Sequence, residues 1–130
     1  MHNKCCFAEK FFHFAHSILE NHEELGLTDE NIKKIRDLKI GTKKSLIRNR
    51  AEVELLMVDI ISSLYQAKPE ISEINKLIDK KFDIKRAGMK KLIASFVGIK
   101  KLLSKEQMKQ VKAICKSEGH HQSKEGQCCR

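Results

Sequence analysis

The chain is poor in the residues from which sheets and thick globular cores are built. Its 130 residues include no tryptophan, one tyrosine, six phenylalanines and one proline, Pro69. With Lys, Glu, Ile and Leu abundant instead, the composition disfavours a β-sandwich and favours long helices around a thin core. No apolar run reaches the ~20 residues that a membrane-spanning helix needs. The most apolar stretch, residues 6–19 (CFAEKFFHFAHSIL), is interrupted by Glu9, Lys10, His13 and His16. Those interruptions also rule it out as a secretory h-region, so no secretory signal is visible. There is no Gly-rich phosphate loop, no paired Glu-x-x-His pattern and no Cys–His nucleophile context, and the expectation is a protein that is not an enzyme.

Acidic residues are scarce in two places. Residues 33–50 hold eight Lys/Arg and one acid, Asp37, and residues 85–105 hold seven Lys/Arg and none. Over the whole chain 26 basic residues face 17 acidic ones, a formal charge of +9. Such a surplus suits an acidic partner: an acidic or unfolded protein, an anionic membrane surface, or nucleic acid. Nucleic acid is the weakest of these, because no aromatics interleave with the basic residues as stacking platforms and no recognition-helix pattern is present.

What the chain does have is helical periodicity. Phe7, Phe11, Phe14, Ala15, Ile18 and Leu19 recur every three or four residues and predict a first helix over about 7–25. Gly26 suits the left-handed position after a helix, with Leu27 folding back, and Thr28 then reads as the N-cap of the next. That second helix is expected over 29–67, with an apolar stripe from Ile32, Ile35, Leu38, Leu46, Val53, Met57, Ile60, Ile61 and Leu64, ending before Pro69. A third, 71–102, carries Ile71, Ile74, Leu77, Ile78, Ile84, Met89, Leu92, Phe96 and Ile99, with Gly88 and Gly98 marking either close helix approach or a bend. Ser104 and Gln107 form a capping-box pattern that opens a fourth helix, 104–116. Residues 117–130 are polar and read as a flexible Cys/His-rich tail.

The expected fold is therefore all-α and a single domain over residues 1–116: a long antiparallel helical hairpin turning at Pro69, with short flanking helices, four in all. A two-helix hairpin buries little alone, so a homodimer is expected. The antiparallel turn brings the two basic stretches alongside each other. Arg36, Lys39, Lys43, Arg48, Arg50, Lys85, Arg86, Lys90 and Lys91 are the candidate client-binding face. A plain solvated helical surface is the alternative.

All eleven Cys and His residues fall in two terminal blocks, with none in residues 23–114. The first block is His2, Cys5, Cys6, His13, His16 and His22; the second is Cys115, His120, His121, Cys128 and Cys129. Thiolates and imidazoles together suit Zn²⁺, with Cu, Ni or Co as further candidates. His13 and His16, three apart, share a helical face. Candidate metal ligands are thus Cys115, His120, His121, Cys128, Cys129, His13, His16, His22, Cys5 and Cys6. Neither spacing is a finger or ribbon pattern. Packed histidines and intermolecular disulfides are the competing explanations, and five cysteines, an odd number, preclude a complete intrachain disulfide set.

Two segments, LGLTDENIKKI at 25–35 and LLSKEQMKQV at 102–111, resemble the paired L-T-x-x-Q repeats of the Spy/CpxP/ZraP/CnrX-like group. The second matches through Leu103, Ser104, Glu106 and Gln107. The first keeps Leu27 and Thr28 but has Asn31 where Gln is expected. The resemblance spans roughly residues 14–114. It implies a four-helix hairpin protomer dimerised into an elongated cradle in the periplasm. Such proteins act as ATP-independent envelope-stress chaperones or in heavy-metal sensing and resistance, with unfolded client protein or a stress regulator as partner. The sensor branch's ligand pattern is not kept: Ile18 stands where a partner for His22 would be, and Ser95 and Ile99 where a His and Met would be. The zinc-resistance branch, with ligands toward its ends, is the nearer likeness. Three expectations follow: a metal-binding protein with chaperone-like action, a metal sensor or sequestering protein without it, or a basic scaffold for nucleic acid or membrane.

Overall fold

The structure, a computed structural model, describes residues 6–118, and every regular element among them is a helix. There are five: α1 (Cys6–Glu20), α2 (His22–Leu25), α3 (Asp29–Leu64), α4 (Ile71–Lys101) and α5 (Lys105–Glu118). The all-α expectation holds. The count differs because the expected first helix is divided at Asn21. There Asn21 leaves the helical region, at φ −111° and ψ 25°, while its N–H and its Nδ2 both donate to the Ser17 carbonyl, at 3.1 and 2.8 Å. The chain forms two compact units, Met1–Ile40 with Ala94–Arg130 (unit 1) and Gly41–Ile93 (unit 2).

Unit 1 is knit by caps and aromatics. The α2 helix ends where Gly26 takes φ 68°, a conformation glycine adopts without a Cβ clash. The Gly26 N–H donates to the Glu23 carbonyl and the Leu27 N–H to the His22 carbonyl, each at 3.1 Å, which is the Schellman closure anticipated for this site. Thr28 Oγ1 then accepts the Asn31 N–H at 3.1 Å and caps α3. Before α5, Ser104 Oγ accepts the Gln107 N–H at 3.1 Å, and Gln107 Oε1 accepts the Ser104 N–H at 2.9 Å, a complete capping box. The core of the unit is Phe11, Phe14, Ala15, Ile18, Leu25, Ile35, Ile99 and Val111. Phe96 is its aromatic hub: Phe14 stacks on it at 4.6 Å between centroids, with Phe7 at 5.8 Å and Phe11 at 6.4 Å. The α5 helix packs on α1 and α2, starting beside Leu25, so it runs back along α1.

Unit 2 contains the later part of α3, the earlier part of α4 and the bend between them. The α3 helix ends at Leu64, three residues before the expected limit, because its last turn tightens: the Tyr65 and Gln66 N–H groups reach back only three residues, to Ser62 and Ser63. Inside the unit Gly88 lies against Asn49, whose Nδ2 is 3.0 Å from where a Cβ on Gly88 would stand. Its buried apolar residues are only Leu56, Ile60, Ile74 and Leu92. Several side chains assigned to the core from periodicity are in fact exposed: Ile61, Leu64, Ile71, Ile78 and Met89. The physical reason is angular. At 100° per residue, Ile71, Ile78 and Met89 stand about a quarter-turn from the row Ile74, Leu77, Ile84, Gly88, Leu92, and one helix partner covers only one such row.

Candidate functional site

The predicted basic face divides between the units. Arg36 and Lys39 belong to unit 1, whereas Lys43, Arg48, Arg50, Lys85, Arg86, Lys90 and Lys91 belong to unit 2. All but the half-buried Lys39 are exposed. Because Gly88 sits against Asn49, residues 43–50 and 85–91 lie side by side within unit 2. That end of the unit presents Lys43, Lys44, Arg48 and Arg50 from α3 and Lys85, Arg86, Lys90 and Lys91 from α4, with no acid in either segment. Arg86 is held in place, its Nη1 2.8 Å from Asp83 Oδ1, an exposed pair that contributes little to stability. Beyond it, residues 52–64 of α3 carry Glu52, Glu54 and Asp59 and no basic residue. The unit is therefore electrically polar along each helix.

Sequence periodicity missed the apolar component of this surface. Ile47 stands among Lys43, Lys44, Arg48 and Arg50 and is 55 % exposed. Leu55 and Val58 continue the exposed side of α3, and Phe82, Met89 and Ile93 are exposed on α4. Lys81 and Lys85 place their ammonium groups 5.4 and 5.8 Å from the centre of the Phe82 ring, within cation–π range. The signal was present in the sequence as apolar residues left over once the main stripe was assigned: Ile40, Ile47 and Val58 lie on the side of α3 opposite Ile35, Thr42 and Leu56. Surface apolar residues scattered singly are ordinary, but contiguous ones bordered by charge mark interaction sites.

The Cys/His residues meet a different outcome. Cys5, His120, His121, Cys128 and Cys129 lie outside the described residues, and Cys6 opens α1. His13 is half-buried on α1; His16 is exposed, with Nε2 3.7 Å from Glu20 Oε1; His22 opens α2; Cys115 is half-buried near the end of α5. Among the described residues no group of three or more His, Cys, Asp or Glu side chains gathers to hold a metal ion. The described Cys and His residues, Cys6, His13, His16, His22 and Cys115, nonetheless all belong to unit 1.

The two motif positions also have a role beyond local capping. Gln107 Nε2 donates to the Leu25 carbonyl at 2.8 Å, and Asn31 Nδ2 donates to the Leu102 carbonyl at 3.3 Å. Leu25 and Leu102 stand at helix C-termini, where carbonyls lack intrahelical donors. Each motif thus caps its own helix and, through its amide, the end of a helix distant in sequence.

No candidate membrane span is found among the helices of the described residues. No family model matches the chain, and neither a curated protein nor a solved structure matches it.

Proposed function

We propose that this chain is a non-enzymatic binding protein with chaperone-like action. In this reading α3 and α4 form an antiparallel hairpin, the protein is a homodimer of the cradle type, and it serves envelope stress or heavy-metal resistance in the periplasm. The observation that carries the proposal is the end of unit 2 where eight Lys/Arg side chains border exposed Ile47, with Leu55 and Val58 continuing the exposed apolar side of α3. An unfolding acidic protein presents apolar side chains among carboxylates, and this surface complements both. Charge speeds encounter and sets the salt dependence, while apolar contact holds the client without enclosing it. The test is aggregation of an acidic protein during thermal unfolding, followed by light scattering. The full chain suppresses scattering at near-stoichiometric ratio and less so as salt rises. Reversal of Lys43, Lys44, Arg48 and Arg50 to Glu weakens suppression by roughly tenfold. Failure of the full chain to suppress aggregation at low salt would sink this function.

A second reading rests on the confinement of all Cys and His residues to two terminal blocks of the sequence, the described ones lying in unit 1. In it, Zn²⁺ (or Cu, Ni or Co) is bound by donors of the terminal segments, with Cys115, His120, His121, Cys128 and Cys129 as the principal set and His13, His16, His22, Cys5 and Cys6 as the remainder. The ion supplies a cross-link between chain segments and no reaction step. Elemental analysis of reduced, untagged protein after loading is the check. Stoichiometric metal disappears on truncation after Glu118, which keeps α5 whole. Retention after truncation would move the site to the remaining histidines, the amino-terminal cysteines and Cys115, which the truncated chain keeps, and no binding by either form would end the metal reading.

A further inference from the structure

The α4 helix has two apolar rows and one partner within its unit. Its inner row, Ile74, Leu77, Ile84, Gly88 and Leu92, is buried or half-buried. The second row, Ile71, Ile78, Phe82, Met89 and Ile93, is exposed, from 36 to 73 %. Its spacings of seven, four, seven and four are those of a helix-packing seam rather than of scattered surface residues. The row is covered at one place. Phe96, three residues beyond Ile93 in the same row, is the hub on which Phe14 stacks and Phe7 leans. Where α1 covers this side of α4 it packs as a core; where nothing does, five large apolar side chains face solvent.

We propose that this exposed row of α4 pairs antiparallel with the same row of a second copy of the chain, with the two-fold axis at Phe82. The register follows from the sequence positions. A two-fold at residue 82 places Ile71 level with Ile93 of the second copy and Phe82 level with its own equivalent. The row has two gaps, at Asn75 and Arg86, where a continuous seam would carry an apolar residue. In this register Met89 of the second copy stands level with Asn75, and its Ile78 level with Arg86. Each gap is filled from the opposite helix, and the two interrupted rows interleave into one unbroken seam. An isologous contact requires this reciprocity, since residue i meets j wherever j meets i.

Charge selects the same direction. Residues 70–83 contain Glu70, Glu73, Asp79 and Asp83 against Lys76, Lys80 and Lys81, whereas residues 84–93 contain Lys85, Arg86, Lys90 and Lys91 and no acid. Antiparallel pairing sets the mixed half of one α4 on the basic half of the other, and Asp79 falls level with Lys85 and Arg86. Parallel pairing would align the two uncompensated basic halves, four cations against four. An unrelated acidic helix could satisfy the charge, but nothing would make it supply apolar residues at the levels of Asn75 and Arg86. The α3 surface around Ile47 takes no part in this seam, so dimerisation leaves it open to a client.

This inference deepens the dimer part of the proposed function and rests on it. The test uses the full chain with Cys5, Cys6, Cys115, Cys128 and Cys129 replaced by Ser, checked to keep the wild-type circular dichroism and sedimentation. Into it go Phe82→Cys or, as a control at an exposed site on α3, Val58→Cys. A disulfide needs Cα atoms within about 7 Å, a condition met across a packed helix pair only by residues facing each other. Under mild oxidation Phe82→Cys converts nearly completely to covalent dimer, and Val58→Cys converts at least tenfold more slowly. The doubly substituted Ile71→Cys, Ile93→Cys chain yields a dimer bridged 71 to 93. Phe82→Asp, at a site half-exposed in the single chain, sediments as a folded monomer. A wild-type chain that sediments as a monomer at high concentration overturns both this inference and the dimer. A wild-type dimer in which Phe82→Cys cross-links no faster than Val58→Cys overturns this inference alone.

Discussion

Units 1 and 2 are cut from the same two long helices, yet they solve the problem of burial in opposite ways. In unit 1 the segments of α3 and α4 are joined by α1, α2 and α5, and among its described residues the large apolar ones left exposed are Ile40 and Val97. In unit 2 they have only each other, and Ile47, Leu55, Val58, Phe82, Met89 and Ile93 are among those facing solvent. A helix pair buries one row of side chains on each member, and further rows need further partners. Unit 1 supplies them within the chain. The apolar surface of unit 2 is available to something outside it, which is why the candidate binding surface lies there, while the caps and the aromatic stacking lie in unit 1.

The sharpest way to test this contrast is to remove one large side chain from each unit. Phe11 is fully buried between its aromatic neighbours, and Phe11→Ala is expected to cost about 3–5 kcal/mol, the range for a large-to-small change in a packed core. Leu55 is 65 % exposed, and Leu55→Ala is expected to fall within about 0.5 kcal/mol of wild type. Chemical denaturation followed by circular dichroism reads both. A loss at Leu55 comparable to that at Phe11 would show that unit 2 is covered in solution along α3 as well.

Next in size is the stitch between the two motifs. Gln107 both closes the α5 capping box and donates to the Leu25 carbonyl, so Gln107→Ala removes two bonds and is expected to cost about 2 kcal/mol. Gln107→Glu separates them: the carboxylate still accepts from the Ser104 N–H but has no donor for Leu25, and about 1 kcal/mol or more should be lost through the tie alone. If Gln107→Glu matches wild type in denaturant midpoint, the long-range bond contributes nothing and unit 1 is held by packing only. Asn31→Ala is expected to cost less than Gln107→Ala, because the Asn31 tie to Leu102 is longer, 3.3 against 2.8 Å.

These bonds also mark where legibility in the sequence stops. The Schellman closure at Gly26, the Thr28 cap and the Ser104–Gln107 box were all readable, because each is decided by chemistry within about five residues. The partners of Asn31 and Gln107 across 71 and 82 residues were not, since local spacing says nothing about which distant carbonyl lacks a donor. The all-α class was legible from composition and period. The division at Asn21 was not, because it is a departure of one residue's backbone, φ −111° and ψ 25°, within an apolar period that continues through it. Of the candidate site, the charges were legible and the exposed apolar residues were misassigned: a period of 3.6 identifies rows, but not which row meets a partner. Ile61, Ile71, Ile78 and Met89 were placed in the core for that reason. The Cys/His blocks were legible as a segregation, and their ligand chemistry depends on segments beyond the described residues.

The smallest effect tests the pairing inside unit 2 itself. Gly88 lies in the interior of α4, where alanine is ordinarily favoured by about 1 kcal/mol. A Cβ at this position would stand 3.0 Å from Asn49 Nδ2, so the Asn49 side chain must move aside. The two contributions oppose each other, and Gly88→Ala alone is expected to remain within about 0.5 kcal/mol of wild type. Asn49→Ala removes the obstruction and is itself a better helix former. In its presence Gly88→Ala should show its full helical gain, about 1 kcal/mol, giving a favourable coupling of roughly 0.5 kcal/mol or more in the double-mutant cycle. Strict additivity would mean that residues 49 and 88 do not face each other, and with that the side-by-side placement of the two basic segments would fall.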